Sequence, residues 1–392
     1  MTDAQALPIN RKCPYTPPNE HVRLREEEPI ARVTLPSGDT AWALTKHEDI
    51  RAMLADVRFS SDRNNPGYPY LQSAMRMKTK ARPSLISTDP PEHGPARRAV
   101  IGEFTVRRMA ELRPRIQQTV DQHIDALLAG PRPADLVREL SLPVPSLVIC
   151  ELLGVPYSDH EFFQQRACTL LRWDTPPEER FAAIAELMSY LDDLVARKER
   201  ESREDLLSRQ FAKTNDHEVT ASLGFLLLVA GHDTTASMIS LGTMMLLEYP
   251  GALAAIRDDP AKTPAAVEEL LRYFTIAEYA ICRVAVADVE LGGVTIRAGE
   301  GVIGLCNTAN RDPAAFDHAD EFRIERDARH HLAFGFGAHQ CLGQNLARTI
   351  LVTVFDTLFR RIPGLRLAKP VDELPFKEDA GVYGLHALPV TW

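Results

Sequence analysis

Apolar residues recur at three- and four-residue intervals through most of the chain, the period of an α-helix. Thr105 to Leu128, Pro177 to Arg200 and Pro264 to Phe274 all carry it, and the last opens with Thr263-Pro264, a capping residue before a first-turn proline. The longest candidate runs from about Glu218 to Glu248 and stops at Tyr249-Pro250-Gly251. Its middle, Leu223 to Gly231, is apolar all round, so this helix is expected to be buried through the centre of the molecule. A final helix follows Gly343, from Gln344 to Arg361. Strand signals are short. Ile30 to Leu35 and Thr40 to Leu44 flank Pro36-Ser37-Gly38-Asp39, and Val284 to Leu291 and Val294 to Ile296 flank Gly292-Gly293, each as a hairpin would. The tail beyond Gly364 reads as short extended pieces. Parallel strand–helix–strand units do not alternate, which disfavours a doubly wound sheet and leaves a mainly helical α+β class.

No linker, repeat or low-complexity tract divides residues 1–392, so one large domain is expected. The N-terminus has no apolar run, and the Leu223 to Ala230 block falls short of the roughly 20 residues a membrane span needs, so the expected location is the cytoplasm, away from membranes. A net charge of −9 argues against wholesale nucleic-acid binding, although Arg97, Arg98, Arg107, Arg108, Arg113 and Arg115 form a local basic cluster. The six cysteines include no C-x-x-C pair, which argues against zinc, an iron–sulfur cluster or a disulfide scaffold.

One cysteine stands apart. In Phe334-Gly335-Phe336-Gly337-Ala338-His339-Gln340-Cys341-Leu342-Gly343, three glycines, a histidine and a thiol share ten residues ahead of a helix. The stretch nearly matches a dinucleotide fingerprint, but Gln340 stands at the third glycine position and no short buried strand feeds it. A thiol before a helix start meets free backbone N–H groups and the positive end of the helix dipole, both of which favour thiolate. Such a group can be a nucleophile, a metal ligand or an inert core residue. His339, two residues away in an extended loop, is poorly placed as the base a nucleophile needs.

Read as F-x-x-G-x-H-x-C-x-G, the stretch resembles the haem-binding loop of the cytochrome P450 family at every diagnostic position. The resemblance implies the cytochrome P450 fold, a large helical region and a small β-rich region, with haem b buried between the central and C-terminal helices. Cys341 would be the metal ligand, an axial thiolate that pushes electron density onto iron. Phe334 would pack beside it, and Gly335 and Gly343 would let the backbone approach the porphyrin. Ala230-Gly231-His232-Asp233-Thr234-Thr235 is similar to the family's oxygen-binding segment. Ala230 and Gly231 would leave room for ligand, a Thr234 hydroxyl can bond the carbonyl four residues back, and Asp233 and Thr234 match the acid–alcohol pair that supports proton delivery.

Other segments agree in order along the chain. Glu269 and Arg272 form an E-x-x-R pair where the family places a structural brace, but Glu321 stands where relatives often have its third member, arginine, so either Arg323 or Arg326 substitutes or the brace differs. His93 and Arg97, four apart on a helix that Pro95 makes irregular at its start, together with Arg283 and His339, match cations and contacts for the haem propionates. Substrate contacts are implied from Asn64 to Ile86, Phe162 to Thr175, Leu226 to Thr234 and Ile276 to Ile281, with Leu85, Leu171, Phe225, Val229, Ala230, Ala277 and Ile281 as the apolar candidates. The implied activity is insertion of one atom of O2 into an apolar, macrolide-, steroid- or drug-like small molecule by a monomer. Electrons would come from a separate ferredoxin and its NAD(P)H-dependent reductase, docked on Arg98, Arg107, Arg108 and neighbours. An H2O2-dependent peroxygenase, a non-catalytic haem sensor and a haem-free thiol enzyme are the alternatives.

Overall fold

The computed structural model describes residues 4–73 and 84–392 and divides into two compact units. The first comprises Met1–Arg97, Leu271–Phe322 and Ala328–Cys341, and the second Arg98–Leu270, Arg323–Asp327 and Leu342–Trp392.

The first unit is built on a six-stranded sheet. The expected hairpin forms, Ile30–Thr34 antiparallel to Thr40–Leu44 with Ile30 opposite Leu44. Gln5–Ala6 adds in parallel at one edge. On the other side Gly301–Gly304, Ile281–Ala285 and Phe59–Ser60 follow in turn. Leu44, Ile50, Met53, Val302 and Leu332 form the apolar layer against it. The expected strand Val284 to Leu291 is instead two pieces. Ile281–Ala285 stays in the sheet, while Val289–Leu291 pairs with Val294–Ile296 through Gly292-Gly293. Between them the Asp288 carboxylate accepts from the Ala298 N–H and the Arg297 guanidinium, which draws the chain out of the sheet.

Buried His21 in this unit bonds the Pro8 carbonyl through Nε2 at 2.8 Å, with its ring edge-on to Tyr279. Burial pushes its pKa down to about 4, opposed by the Pro8 carbonyl. The folded value lies below the unfolded value of about 6.5, so the folded state binds fewer protons there. The contribution is therefore complete above about pH 6.5 and is lost as pH falls towards 4, by roughly 3 kcal/mol in all. His21→Gln keeps a donor for Pro8 and should flatten the acid slope of urea-unfolding free energy by that amount. A slope equal to the parent's would remove this role.

The second unit is mostly helix. Val106–Ala129 starts where expected, with the Thr105 hydroxyl accepting from the Arg108 N–H, and Pro177–Arg200 and Gln344–Arg361 also form over the expected spans. Thr263–Phe274 forms too, but Thr263 lies inside it and its hydroxyl is spent on Asp356 (2.5 Å) rather than on a cap. A preceding turn, Pro260–Lys262, is capped by Asp259 instead. A small sheet orders Arg366–Leu367, Pro389–Thr391 and Ala134–Asp135.

The long central helix forms as two pieces, His217–Gly231 and Asp233–Glu248, broken at His232. The second piece is buried along nearly its whole length. The first is not buried all round as its composition implied, because Phe225, Leu226 and Val229 are half-buried and Ala230 is exposed. An apolar face left open on a core helix is the finding here, and the second side of that helix carries the packing through Leu223, Leu227 and Leu228. His217–Glu248 is long and apolar enough by composition to cross a membrane, and 61% of its most apolar window is buried inside the protein.

Candidate functional site

In the first unit the thiol loop runs from Phe334 into a turn at Gly337–His339. Gly335 (φ 68°) and Gly337 (φ 71°) occupy the left-handed region, where a side chain is strained. A Cβ at Gly337 would also lie 2.5 Å from the Leu54 carbonyl oxygen, whereas one at Gly335 would meet only the Ile281 side chain at 4.0 Å. Gly337 seats the loop on the helix His47–Ala55, and Gly335 leaves an open shelf beside Ile281. The Cys341 N–H donates to the Phe334 carbonyl at 2.8 Å and closes the loop, leaving the sulfur half-buried. Phe334 packs against His331, and Phe336 lies under the Arg51 guanidinium at 4.1 Å.

The cation-bearing residues converge on this loop. Arg97 donates to the Gln340 carbonyl at 2.5 Å; burial lowers its pKa, opposed by the Cys341 sulfur. Pro95 falls in the first turn of the helix His93–Ile101, where a missing N–H costs nothing. His93 stacks on His339 with ring centroids 4.1 Å apart. His339 is further bonded to the Ser61 hydroxyl, whose own hydrogen goes to Asp89 at 2.7 Å. Burial first, then Arg283 and His93, pushes His339 down to about 4, so near neutrality the ring is uncharged, with its Nε2–H turned to the Ser61 oxygen. Burial would raise Asp89, but hydrogen bonds from Ser60 and Ser61 outweigh it and hold the carboxyl below its ordinary value. Arg283, on the strand Ile281–Ala285, donates to the Cys282 carbonyl at 2.7 Å, and burial lowers its pKa.

The residues fit a haem with acidic side arms. His93 Nε2 is a buried ring nitrogen without a partner among the described residues, and a buried polar atom of that kind calls for an acceptor or donor from elsewhere. A half-buried sulfur, an open glycine shelf and the guanidinium groups of Arg97 and Arg283 lie in the same unit.

In the second unit the break at His232 carries the oxygen-type segment. Thr234 donates its hydroxyl to the Ala230 carbonyl at 2.8 Å, the back-bond its spacing predicts, and Thr235 does the same to Gly231 at 3.3 Å. His232 turns inward and bonds the Leu228 carbonyl, and burial lowers its pKa. Asp233 is buried and pairs with Lys377 at 2.7 Å, with the Ser237 hydroxyl 3.5 Å from the same ammonium nitrogen. Asp233 and Thr234 therefore have different partners. Lys377 escaped the sequence reading because it lies 144 residues away in the irregular tail.

The brace is resolved in favour of Arg326. The fully buried Glu269 accepts from Arg326 at 3.3 Å and from the Arg323 backbone N–H at 2.8 Å. In the first unit Arg272 donates to the carbonyls of Asn310, Ala319 and Glu321, so Glu321 contributes its backbone while its side chain faces His318. Of the substrate candidates, Leu85, Ala277 and Ile281 in the first unit, and Leu171, Phe225 and Val229 in the second, are half-buried, with Ala230 exposed. Residues 74–83 of the Asn64–Ile86 stretch lie outside the described residues.

Comparison with known proteins matches this architecture. The family model for cytochrome P450 matches residues 177–363. Pentalenic acid synthase of Streptomyces avermitilis is 48% identical over 392 residues, spanning 99% of this chain and 97% of its own. Among solved structures, MoxA from Nonomuraea recticatena aligns with a TM-score of 0.90 at 56% identity, over 99% of this chain and 98% of its own. CYP105P1 in complex with filipin I aligns at 0.94 and 44%, over 100% and 99%. The chain belongs to the cytochrome P450 family. It is a monooxygenase whose cofactor is haem b, and it acts on small molecules.

Proposed function

We propose that this protein hydroxylates or epoxidises an apolar molecule of macrolide, steroid or similar size, with Cys341 as the haem's thiolate ligand. The observation that carries the reading is the closed thiol loop, with its left-handed glycines, its flanking guanidiniums and the unpartnered His93 Nε2. When bound, haem supplies the activation of O2 and its insertion into a C–H or C=C bond.

The chain's own residues supply the rest. Arg97 and Arg283 offer guanidinium groups and His93 a ring nitrogen to carboxylates, and neutral His339, fixed by Ser61, offers a contact without charge. Thr234, fixed by its bond to Ala230, holds a hydroxyl at the open helix face, and Asp233 one position back, paired with the Lys377 ammonium, supplies a carboxylate through which a proton can be relayed. Phe225, Val229, Ala230 and Leu171, with Leu85, Ala277 and Ile281, would exclude water and orient the substrate. Support for an apolar, multi-ring or macrocyclic substrate comes from those side chains and from relatives that include pentalenic acid synthase and a filipin I complex.

Electrons would come from a ferredoxin and an NAD(P)H-dependent reductase. The exposed arginines 98, 107, 113 and 115 offer that partner a basic face, and Arg107 and Arg108 also bridge to Glu111. We place the protein in the cytoplasm, as one catalytic domain working as a monomer.

The test is turnover of a macrolide and steroid panel with ferredoxin, reductase and NADPH. Product should form with that chain and not with H2O2 alone. Thr234→Ala should leave substrate binding within about twofold but uncouple O2 consumption from product on the order of tenfold or more. Full coupling in Thr234→Ala would discard the proton-relay role.

A further inference from the structure

Residues 168–175, the end of the helix His160–Leu171 and the turn that leads to Pro177–Arg200, have a backbone fixed from several directions. The Cys168 carbonyl accepts from the Arg172 N–H at 3.1 Å. The Thr169 carbonyl accepts from the Thr175 hydroxyl at 2.8 Å. Arg180 donates one guanidinium nitrogen to the Leu170 carbonyl and another to the Arg172 carbonyl at 2.6 Å, straddling Leu171. The Leu171 carbonyl is taken by the Gly381 N–H at 2.9 Å, and the Trp173 N–H donates to the Asp379 carbonyl at 2.7 Å. Arg172 and Ala380 thus pair as strands do.

Arg180 is itself unusual. It is 4% exposed, has no carboxylate partner among the described residues, and its Nε is buried without any partner. A buried guanidinium held only by carbonyls is a costly way to stabilise a fold. What the arrangement does uniquely is geometric. A planar fork can hold two carbonyls two residues apart, whereas the single ammonium of a lysine cannot hold both in line.

We propose that Arg180 is a positioning residue for substrate selection, holding the 169–175 turn in one shape so that Leu171 stands as a fixed wall rather than part of a yielding lid. This rests on the reading of Leu171 as a substrate-side residue. Arg180 and the tail segment 379–381 hold the two ends of the Arg172–Trp173 peptide group and the Leu170 and Leu171 carbonyls before it, so loss of either grip frees Leu171.

The experiment uses the haem-loaded protein. Backbone hydrogen exchange is followed by mass spectrometry, and optical titrations are run with 4-phenylimidazole as a compact haem-binding azole and ketoconazole as a bulky one. In Arg180→Met, exchange across 169–175 should rise tenfold or more while the rest of the chain stays within twofold. The ratio of the two azole dissociation constants should shift at least fivefold. Arg180→Lys should recover folding stability but not exchange protection. Gly381→Pro removes the other N–H without touching Arg180 and should give the same local rise, which keeps the test open should Arg180→Met fold poorly. Unchanged exchange at 169–175, or a rise spread over the whole chain, overturns the clamp. A local rise with an unchanged azole ratio overturns the selection role. If neither azole binds the parent protein, the functional reading fails and takes the selection role with it, while exchange still reports on the clamp alone.

Discussion

Cys341→Ala, prepared with excess haem, should lose the optical signature of a thiolate-ligated haem on reduction under carbon monoxide, and product formation should fall to background. Four of the other five thiols are disfavoured as replacements by their surroundings. Cys150, Cys282 and Cys306 are buried, and burial pushes them up to about 12, 11 and 12, so they stay neutral thiols near pH 7. Cys168 is also raised by burial, reinforced by the charge of Asp233. None lies in a loop with left-handed glycines and guanidinium neighbours. Cys282→Ala is the control, since it alters the strand that carries Arg283 yet should leave the spectrum intact. An unchanged carbon monoxide spectrum in Cys341→Ala would falsify the ligand assignment.

Arg326→Ala should destabilise the fold by about 3–5 kcal/mol, the usual cost of removing one member of a buried ion pair. Glu269 is fully buried and takes Arg326 and the Arg323 N–H together. Deleting the arginine takes one guanidinium away from a carboxylate that is itself fully buried. The double variant Glu269→Gln/Arg326→Met should recover a substantial part of the loss, because it removes the charges together and keeps most of the volume. The readout is the urea midpoint of each variant. A loss below about 1 kcal/mol for Arg326→Ala would mean the pair behaves like a surface bridge.

The sequence made the helices legible wherever an apolar stripe and a local stop signal coincided. Val106–Ala129, Pro177–Arg200 and Gln344–Arg361 form where their periodicity ends at threonine, proline or glycine. It misled where geometry depends on distant partners. Val284 to Leu291 alternates as one strand should, yet Asp288 captures the Ala298 N–H and bends the chain away. Leu223 to Gly231 is apolar on every face, and composition alone cannot separate a face packed on protein from one left open. The candidate site divides the same way. The thiol loop and the Thr234 back-bond follow from contiguous residues, and for the brace the sequence left Arg323 and Arg326 both open, while the partners Lys377 for Asp233 and Ser61 for His339 come from segments 144 and 278 residues away. Charge and burial create those pairings, and neither has a local period to read.

The fit of Gly337 over the Leu54 carbonyl also bears on engineering. The ten residues from Phe334 to Gly343 do not make a portable cassette. Grafted alone onto another scaffold they would lack the end of the helix His47–Ala55 that shapes their turn, so a working transplant must carry both segments.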